Sequence, residues 1–145
     1  MEYNPDKVRK LSSEILTAHK WLEDLRRLPK DDFLRDPHKI ASAKYNLIIA
    51  IEAILDLCNH LIAKNGFRAP EDYADTIKVL AERGAFDADF TNILIQMTRF
   101  RNRLVHIYWE VDDNELYQIL QTRLDDFRQF LNKFGIFIGP SISEG

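Results

Sequence analysis

The stretch YNLIIAIEAILDLC, residues 45–58, decides the fold, because its apolar side chains cover much more than one face of a helix. Together with its flanks it predicts a long helix from about Pro37 to Lys64. A surface helix carries one narrow apolar stripe, whereas a stripe this wide is typical of a helix buried on more than one side. Glu52 and Asp56 interrupt the apolar run too soon for a membrane span. We therefore expect the central helix of a bundle.

Helical periodicity continues on both sides of this segment. The other predicted helices are helix 1 over about residues 5–28, with Asn4 as N-cap, a short helix over 71–84, a helix that begins at Asp87 and passes through Tyr108, and a last helix over 112–135. The connections are short, so neighbouring helices should run antiparallel. The fold class is therefore all-α, an up-and-down bundle of four long helices plus a short extra one. Residues 136–145 are expected to be a loose tail.

Composition indicates one domain spanning residues 1–145, since 46% of the residues are hydrophobic and 30% charged. A net charge of −3 argues against binding duplex nucleic acid through a broad basic surface, but leaves room for a small local basic site. The single cysteine, Cys58, cannot form a disulfide within the chain and suits a reducing cytosol. The N-terminus lacks the apolar core of a signal peptide. We expect a cytoplasmic protein that does not associate with membranes.

The stretch RFRNRLVHIYWEV, residues 99–111, places several cations in an otherwise apolar helical run. Arg101 follows Leu94 by seven residues and precedes Tyr108 by seven, so it lies close to the apolar stripe. An unpaired buried charge is costly, so this arginine must be paired or must open into a site or an interface. Pairing with Glu52 or Asp56 would be purely structural. The residues alone leave both interpretations open.

Asn102 and His106 are four residues apart and share a helix face. Arg101 and His106 lie about 140° apart around an ideal helix. For both to reach one ligand, the long arginine must reach around the helix, the helix must be irregular, or a second subunit must take part.

The string RNRLVHIYW, residues 101–109, resembles the Arg-Asn-x-x-x-His-x-Tyr motif of the HepT branch of the HEPN superfamily. The central-helix string NLIIAIEAILDLCNHLIAKNG and the following PEDYADTIKVLAERGAF also resemble the corresponding segments of that family. The resemblance covers most of the chain.

This resemblance implies a HEPN-like bundle that forms a homodimer, with the motif in a cleft between subunits. It also implies a metal-independent endoribonuclease, the toxin of a toxin–antitoxin pair, with Arg101 and His106 catalytic. RNA carries its own nucleophile, the 2′-OH, so cleavage needs a proton shuttle and a cation. A histidine transfers protons near neutral pH, and a guanidinium stabilises the charge on the phosphate. Asn102 is expected to orient either group, and no cofactor is expected.

Tyr108 has two interpretations. It is either an apolar ring with its hydroxyl at the bundle surface or, as the resemblance implies, the residue to which a cognate minimal nucleotidyltransferase antitoxin attaches AMP. A phosphate beside Arg101 would then occupy the position meant for RNA.

Glu52, Asp56 and His60 recur every four residues on the central helix. They could form a metal site or a polar stripe that pairs with cations. Three ligands on one helix without a second cluster favour the stripe, so no metal is expected. The resemblance gives Glu52 and Asp56 a supporting role. Two other functions stay open: a non-catalytic HEPN bundle that only partners a nucleotidyltransferase, and a structural helical dimer.

Overall fold

The chain folds around the helix Pro37–Asn65 in the computed structural model, which describes residues 1–139. All regular secondary structure in that range is helical, as predicted. In chain order the elements are α1 (Pro5–Arg26), α2 (Lys30–Leu34), α3 (Pro37–Asn65), α4 (Tyr73–Glu82), α5 (Ala88–His106), a 3₁₀ turn (Tyr108–Glu110), α6 (Asp113–Thr122) and α7 (Asp125–Ile138).

The helix α3 is the core of the bundle, and the prediction of a central helix is confirmed. It packs most extensively on α1 and also contacts α2, α4, α5 and α6. Asp36 caps its start by accepting hydrogen bonds from two backbone N–H groups, and Gly66 ends it in the left-handed conformation at φ 64°. Buried apolar side chains from the other six α-helices join those of α3 in one cluster. Within the described residues α3 alone has the length and hydropathy to cross a membrane, but 67% of its most apolar window is buried in the bundle, as in the core helix of a soluble protein.

The last predicted helix is wrong in two respects. It breaks after Thr122 into α6 and α7, with neither glycine nor proline at the break. The two pieces pack on different neighbours, since α6 contacts α1, α2 and α3 whereas α7 contacts α1. Residues 136–138 belong to α7, and Ile138 is buried, so they are not a loose tail. The rest of the predicted tail, 140–145, lies outside the described residues.

The helix α5 starts where it was predicted, with the Asp87 side chain capping the N–H of Phe90, but it ends at His106. Ile107 leaves the helical conformation at φ −132° and ψ 46°, and Tyr108 begins the 3₁₀ turn. The buried Lys44 of α3 donates a hydrogen bond from Nζ to the Tyr108 carbonyl at 3.3 Å. This contact holds the turn against the bundle. The prediction that the helix passes through Tyr108 is therefore wrong.

Candidate functional site

An open cleft of about 410 Å³ lies beside the second half of α5. Its other walls are α3, the segment 70–72 and the start of α4. The side chains that matter most in it are Asn59, Tyr73, Thr76, Arg101, Asn102 and His106. Three residues predicted from the sequence therefore line the same cleft within one chain.

Arg101 is held in place by three neighbours. Its Nε and Nη2 donate to Glu52 Oε2 at 3.1 and 2.5 Å, and its Nη1 donates to Asn102 Oδ1 at 3.1 Å. Its guanidinium carbon also lies 4.9 Å from the centre of the Tyr73 ring, within cation–π range. The arginine side chain is only 11% exposed, whereas that of Glu52 is 38% exposed. Arg101 is thus both salt-bridged and part of a cleft, so the two interpretations of the sequence hold together.

His106 is the last residue of α5, and its side chain is exposed to solvent. Because Arg101 extends toward α3 and α4, the 140° between the two positions on the helix does not prevent them from lining one cleft. Within a single chain both side chains therefore line one cleft, with the guanidinium of Arg101 turned toward Glu52.

A network around Arg68 shapes the cleft wall, and sequence reasoning missed it. Arg68 donates to both carboxylate oxygens of Asp75 at 2.8 Å and to Glu82 at 2.8 Å. The N–H of Glu71, which lines the cleft, donates to Asp75 at 2.9 Å. The Arg68 guanidinium, followed by that N–H, holds the pKa of Asp75 well below its usual range. The network ties the segment 66–72 to α4.

Asn59 and Thr76 also line the cleft without having been predicted. Thr76 Oγ1 donates to Asn59 Oδ1 at 3.2 Å and so joins α4 to α3. The available sequence signal was weak, since polar residues at the edge of an apolar stripe are common on any surface helix.

The polar stripe on α3 divides among different partners. Glu52 binds Arg101, while Asp56 is exposed and is not part of the cleft lining. Although the residue is exposed, partial desolvation of its carboxyl group by the surrounding protein, followed by the nearby Glu52 carboxylate, raises the pKa of Asp56. His60 is buried, and its Nε2 accepts a hydrogen bond from the Asn4 N–H at 2.9 Å. In residues 1–139 no group of three or more His, Cys, Asp or Glu side chains is arranged to hold a metal ion.

Tyr108 lies outside the cleft lining, on the turn that follows α5. Its side chain is 42% exposed, and Lys44 Nζ lies 4.1 Å from the centre of its ring. Because α5 ends at His106, the heptad spacing does not place Tyr108 on the same helical face as Arg101. Its accessibility comes from the turn instead.

A helical bundle with these residues in one cleft defines a HEPN-type protein, and comparisons with known proteins agree. The family model described as Ribonuclease HepT-like matches residues 15–134, so the chain belongs to the HepT-like family. The resemblance seen in the sequence is thereby confirmed at the level of the family.

Individual relatives are more distant. The chain is 27% identical over 113 residues to a candidate RNase of Archaeoglobus fulgidus, a match that covers 78% of this chain and 80% of that protein. It is 29% identical over 87 residues to the mRNA nuclease HepT of Shewanella oneidensis. This match covers 60% of this chain and 65% of that protein.

Two solved structures share the fold. One is a toxin–antitoxin structure with AMP-PNP, with a TM-score of 0.83, 23% identity, and coverage of 91% of this chain and 100% of that one. The other is the tri-AMPylated Shewanella oneidensis HEPN toxin in complex with MNT antitoxin, with a TM-score of 0.82, 24% identity, and coverage of 90% and 97%.

Proposed function

We propose that this chain is a metal-independent endoribonuclease, the toxin of a toxin–antitoxin pair, and that it acts as a homodimer. The observation that carries the proposal is that Arg101, Asn102 and His106 line one open cleft. Membership of the HepT-like family and the nuclease names of the two relatives support it.

The proposed reaction is attack of the RNA 2′-OH on the adjacent phosphate. The bond from the 2′-oxygen to phosphorus forms while the bond to the 5′-oxygen breaks, which leaves a 2′,3′-cyclic phosphate. His106 accepts the 2′-OH proton, and the 5′-oxygen takes a proton from the imidazolium or from water. Arg101 stabilises the charge that develops on the phosphate oxygens.

The resting contacts of Arg101 set a condition on this scheme. Two of its nitrogens are occupied by Glu52, so a phosphate must compete with that carboxylate for the guanidinium. The bond to Asn102 Oδ1 comes from the third nitrogen and orients the group toward the cleft. Glu52 and Asn102 are therefore assigned supporting roles. Asp56, one turn further on α3, would act only through Glu52, whose charge influences it.

Single substitutions test the catalytic roles. Arg101→Ala and His106→Ala should each lower the rate of RNA cleavage by about a hundredfold or more, because charge stabilisation and proton transfer each contribute about that much. Arg27→Ala, an exposed arginine at the end of α1, is the matched control and should cleave normally. Circular dichroism should show unchanged helical content in all three. Full activity in His106→Ala, or activity that disappears with EDTA and returns with a divalent metal, would refute the mechanism.

We further infer that a cognate minimal nucleotidyltransferase neutralises the toxin by transferring AMP from ATP to Tyr108. The phenol oxygen forms a bond to the α-phosphorus, diphosphate leaves, and the phenol proton is released. The exposed position of the Tyr108 turn supports this, as does the likeness to a HEPN toxin solved in its AMPylated form with an MNT antitoxin.

The Tyr108→Phe variant should keep its nuclease activity and escape neutralisation by the nucleotidyltransferase. Mass spectrometry of the co-expressed pair is the measurement, and an unmodified Tyr108 in neutralised protein would contradict the inference.

The second candidate is a non-catalytic HEPN subunit that only partners a nucleotidyltransferase. The ion pair that occupies Arg101 at rest favours it. Growth of cells that express the chain alone separates the two. A nuclease toxin arrests growth and His106→Ala relieves the arrest, whereas a binding subunit has no effect in either form.

A further inference from the structure

A second cavity, of about 280 Å³, lies between α3, α5, α6 and α7. It receives Arg99 and Arg103 from α5, whereas the cleft receives Arg101 and Asn102. Positions two apart on a helix point about 200° apart, so the two cavities lie on opposite sides of α5. They share no lining residue.

The floor of this second cavity is apolar. Leu47 and Ile51 of α3, Phe100 of α5 and Phe127 of α7 contribute to it. Ligand sites are mostly apolar with a few polar groups that set orientation, and their volumes start at about 300 Å³. At about 280 Å³ the cavity is close to the lower end of that range, so it has room for a small ligand.

Asp126 is the unusual group in this lining. Its residue is only 8% exposed, although a buried carboxylate is costly unless it accepts hydrogen bonds. No residue from 1 to 139 donates a hydrogen bond to its side chain. Burial raises the pKa of Asp126, and the Arg123 guanidinium opposes that shift. The Asp126 side chain is thus nearly buried, accepts no hydrogen bond from the described residues, and keeps its oxygens accessible to solvent in the cavity.

The rim carries an excess of positive charge. Arg103 is matched by Glu115 through two bonds of 2.8 Å. Arg99 and Arg123 line the same cavity, are exposed, and form no salt bridge with any of the described residues. Two guanidinium groups are therefore available for an anion at the mouth.

We propose that this cavity binds a guanine mononucleotide, with the base on the apolar floor, its N–H edge on Asp126, and its phosphate on Arg99 and Arg123. Guanine is favoured over adenine because its N1–H and N2–H donate side by side to one carboxylate. The site is separate from the nuclease cleft and does not depend on the proposed RNA cleavage.

Titration calorimetry with the whole chain tests this site, with GMP, AMP and inorganic phosphate as ligands. We expect GMP to bind, AMP to bind more weakly, and phosphate alone to bind at least tenfold more weakly than GMP. Asp126→Asn and Arg123→Gln should each weaken GMP binding about tenfold or more. The controls Asp125→Asn and Arg128→Gln change exposed neighbours on α7 that do not line the cavity, and should leave the affinity unchanged.

Several results would overturn the proposal. These are no heat of GMP binding at millimolar concentration, phosphate binding as tightly as GMP, or equal effects of the test and control variants. Arg123 is exposed, so Arg123→Gln should fold normally and keeps the test decisive even if Asp126→Asn unfolds.

Discussion

The ion pair between Arg101 and Glu52 illustrates how one residue contact serves both stability and the candidate site. The arginine is nearly buried, so its charge requires a partner. The Glu52 carboxylate that supplies it is partly exposed, and in the proposed mechanism a phosphate takes its place. A stronger, fully buried partner would stabilise the bundle but would prevent Arg101 from acting on a substrate.

Glu52→Gln tests this balance. The variant weakens two charge-assisted bonds, so the free energy of unfolding should fall by about 1 kcal/mol, a value limited by the exposure of the pair. It also frees the guanidinium, so RNA should bind severalfold more tightly. Urea unfolding and RNA binding in a His106→Ala background measure the two effects. Asp32→Asn, at an exposed carboxylate of α2 that does not line the cleft, is the control and should change neither. Equal effects of both substitutions would contradict the exchange.

At the scale of the helices, the shape of the cleft depends on the polar contacts that hold α3, α4 and their neighbouring segments together. The segment 66–72 between them has no regular structure of its own beyond turns, and Arg68 holds it to two carboxylates of α4. The start of α1 is anchored to α3 by the hydrogen bond from the Asn4 N–H to His60. Each anchor is polar and tied to one side chain, so each can be removed alone.

Arg68→Ala should release the cleft wall. Exposed ion pairs contribute little, so the free energy of unfolding should fall by less than about 1 kcal/mol. Amide hydrogen exchange at Asp75 and Thr76, whose N–H groups donate to Asp72, should nevertheless become at least several times faster, because the start of α4 loses its support. Arg27→Ala, an exposed arginine at the end of α1 that pairs with Asp24, is the control and should leave that exchange unchanged. Unaltered exchange in Arg68→Ala would refute the anchoring role.

The anchor at His60 should make stability depend on pH. Burial lowers the pKa of His60 below its ordinary value of about 6.5, and Lys7 and Lys64 lower it further. The unfolded chain therefore binds this proton more readily, so the contribution is complete above pH 6.5 and is lost as the pH falls through the folded pKa. Protonation of Nε2 also breaks the bond from Asn4.

Urea unfolding at pH 7.5 and pH 5.5 tests this dependence. The wild type should lose up to about 1 kcal/mol more than His60→Gln over that interval. His38→Gln, at an exposed histidine, should behave like the wild type. If His60→Gln showed the same pH dependence as the wild type, the assignment would fail.

For the whole molecule, the proposed homodimer needs an exposed surface. Phe100 and Leu104 of α5 are buried within the chain's own core, whereas Tyr108 and Trp109, on the turn after α5, are 42% and 77% exposed. A second pair of exposed aromatic residues lies on another face. Trp21 and Tyr45, 51% and 63% exposed, line one groove between α1 and α3, and such exposed apolar groups are common at interfaces.

Light scattering at micromolar concentration should give the mass of two chains. Tyr45→Glu should shift the equilibrium toward the monomer, because a charge in an apolar contact is costly. Ile136→Glu, at an exposed aliphatic residue near the end of α7, is the control and should leave the dimer intact. A monomeric wild type would refute the homodimer, and an unaffected Tyr45→Glu would exclude this groove as the interface.

The sequence by itself determined the all-helical class, the central helix and the family. The start of α1 at Asn4, the start of α5 at Asp87 and the end of α3 near Lys64 were all predicted, because capping depends on the few residues around each end. The width of the apolar stripe identified the central helix, because that width depends only on residues that are close together in the chain. The motif around Arg101 was visible because its residues are close in the chain.

Only the tertiary structure decided what depends on contacts between distant residues. Glu52 and Asp56 were equal candidates to pair with Arg101, since they lie one turn apart on α3, and the packing of α3 against α5 selected Glu52. The break between α6 and α7 and the end of α5 carry no glycine or proline, so packing and the contact from Lys44 set them. The cleft combines residues from three helices and a connection, and its position depends on their packing, which no local pattern encodes.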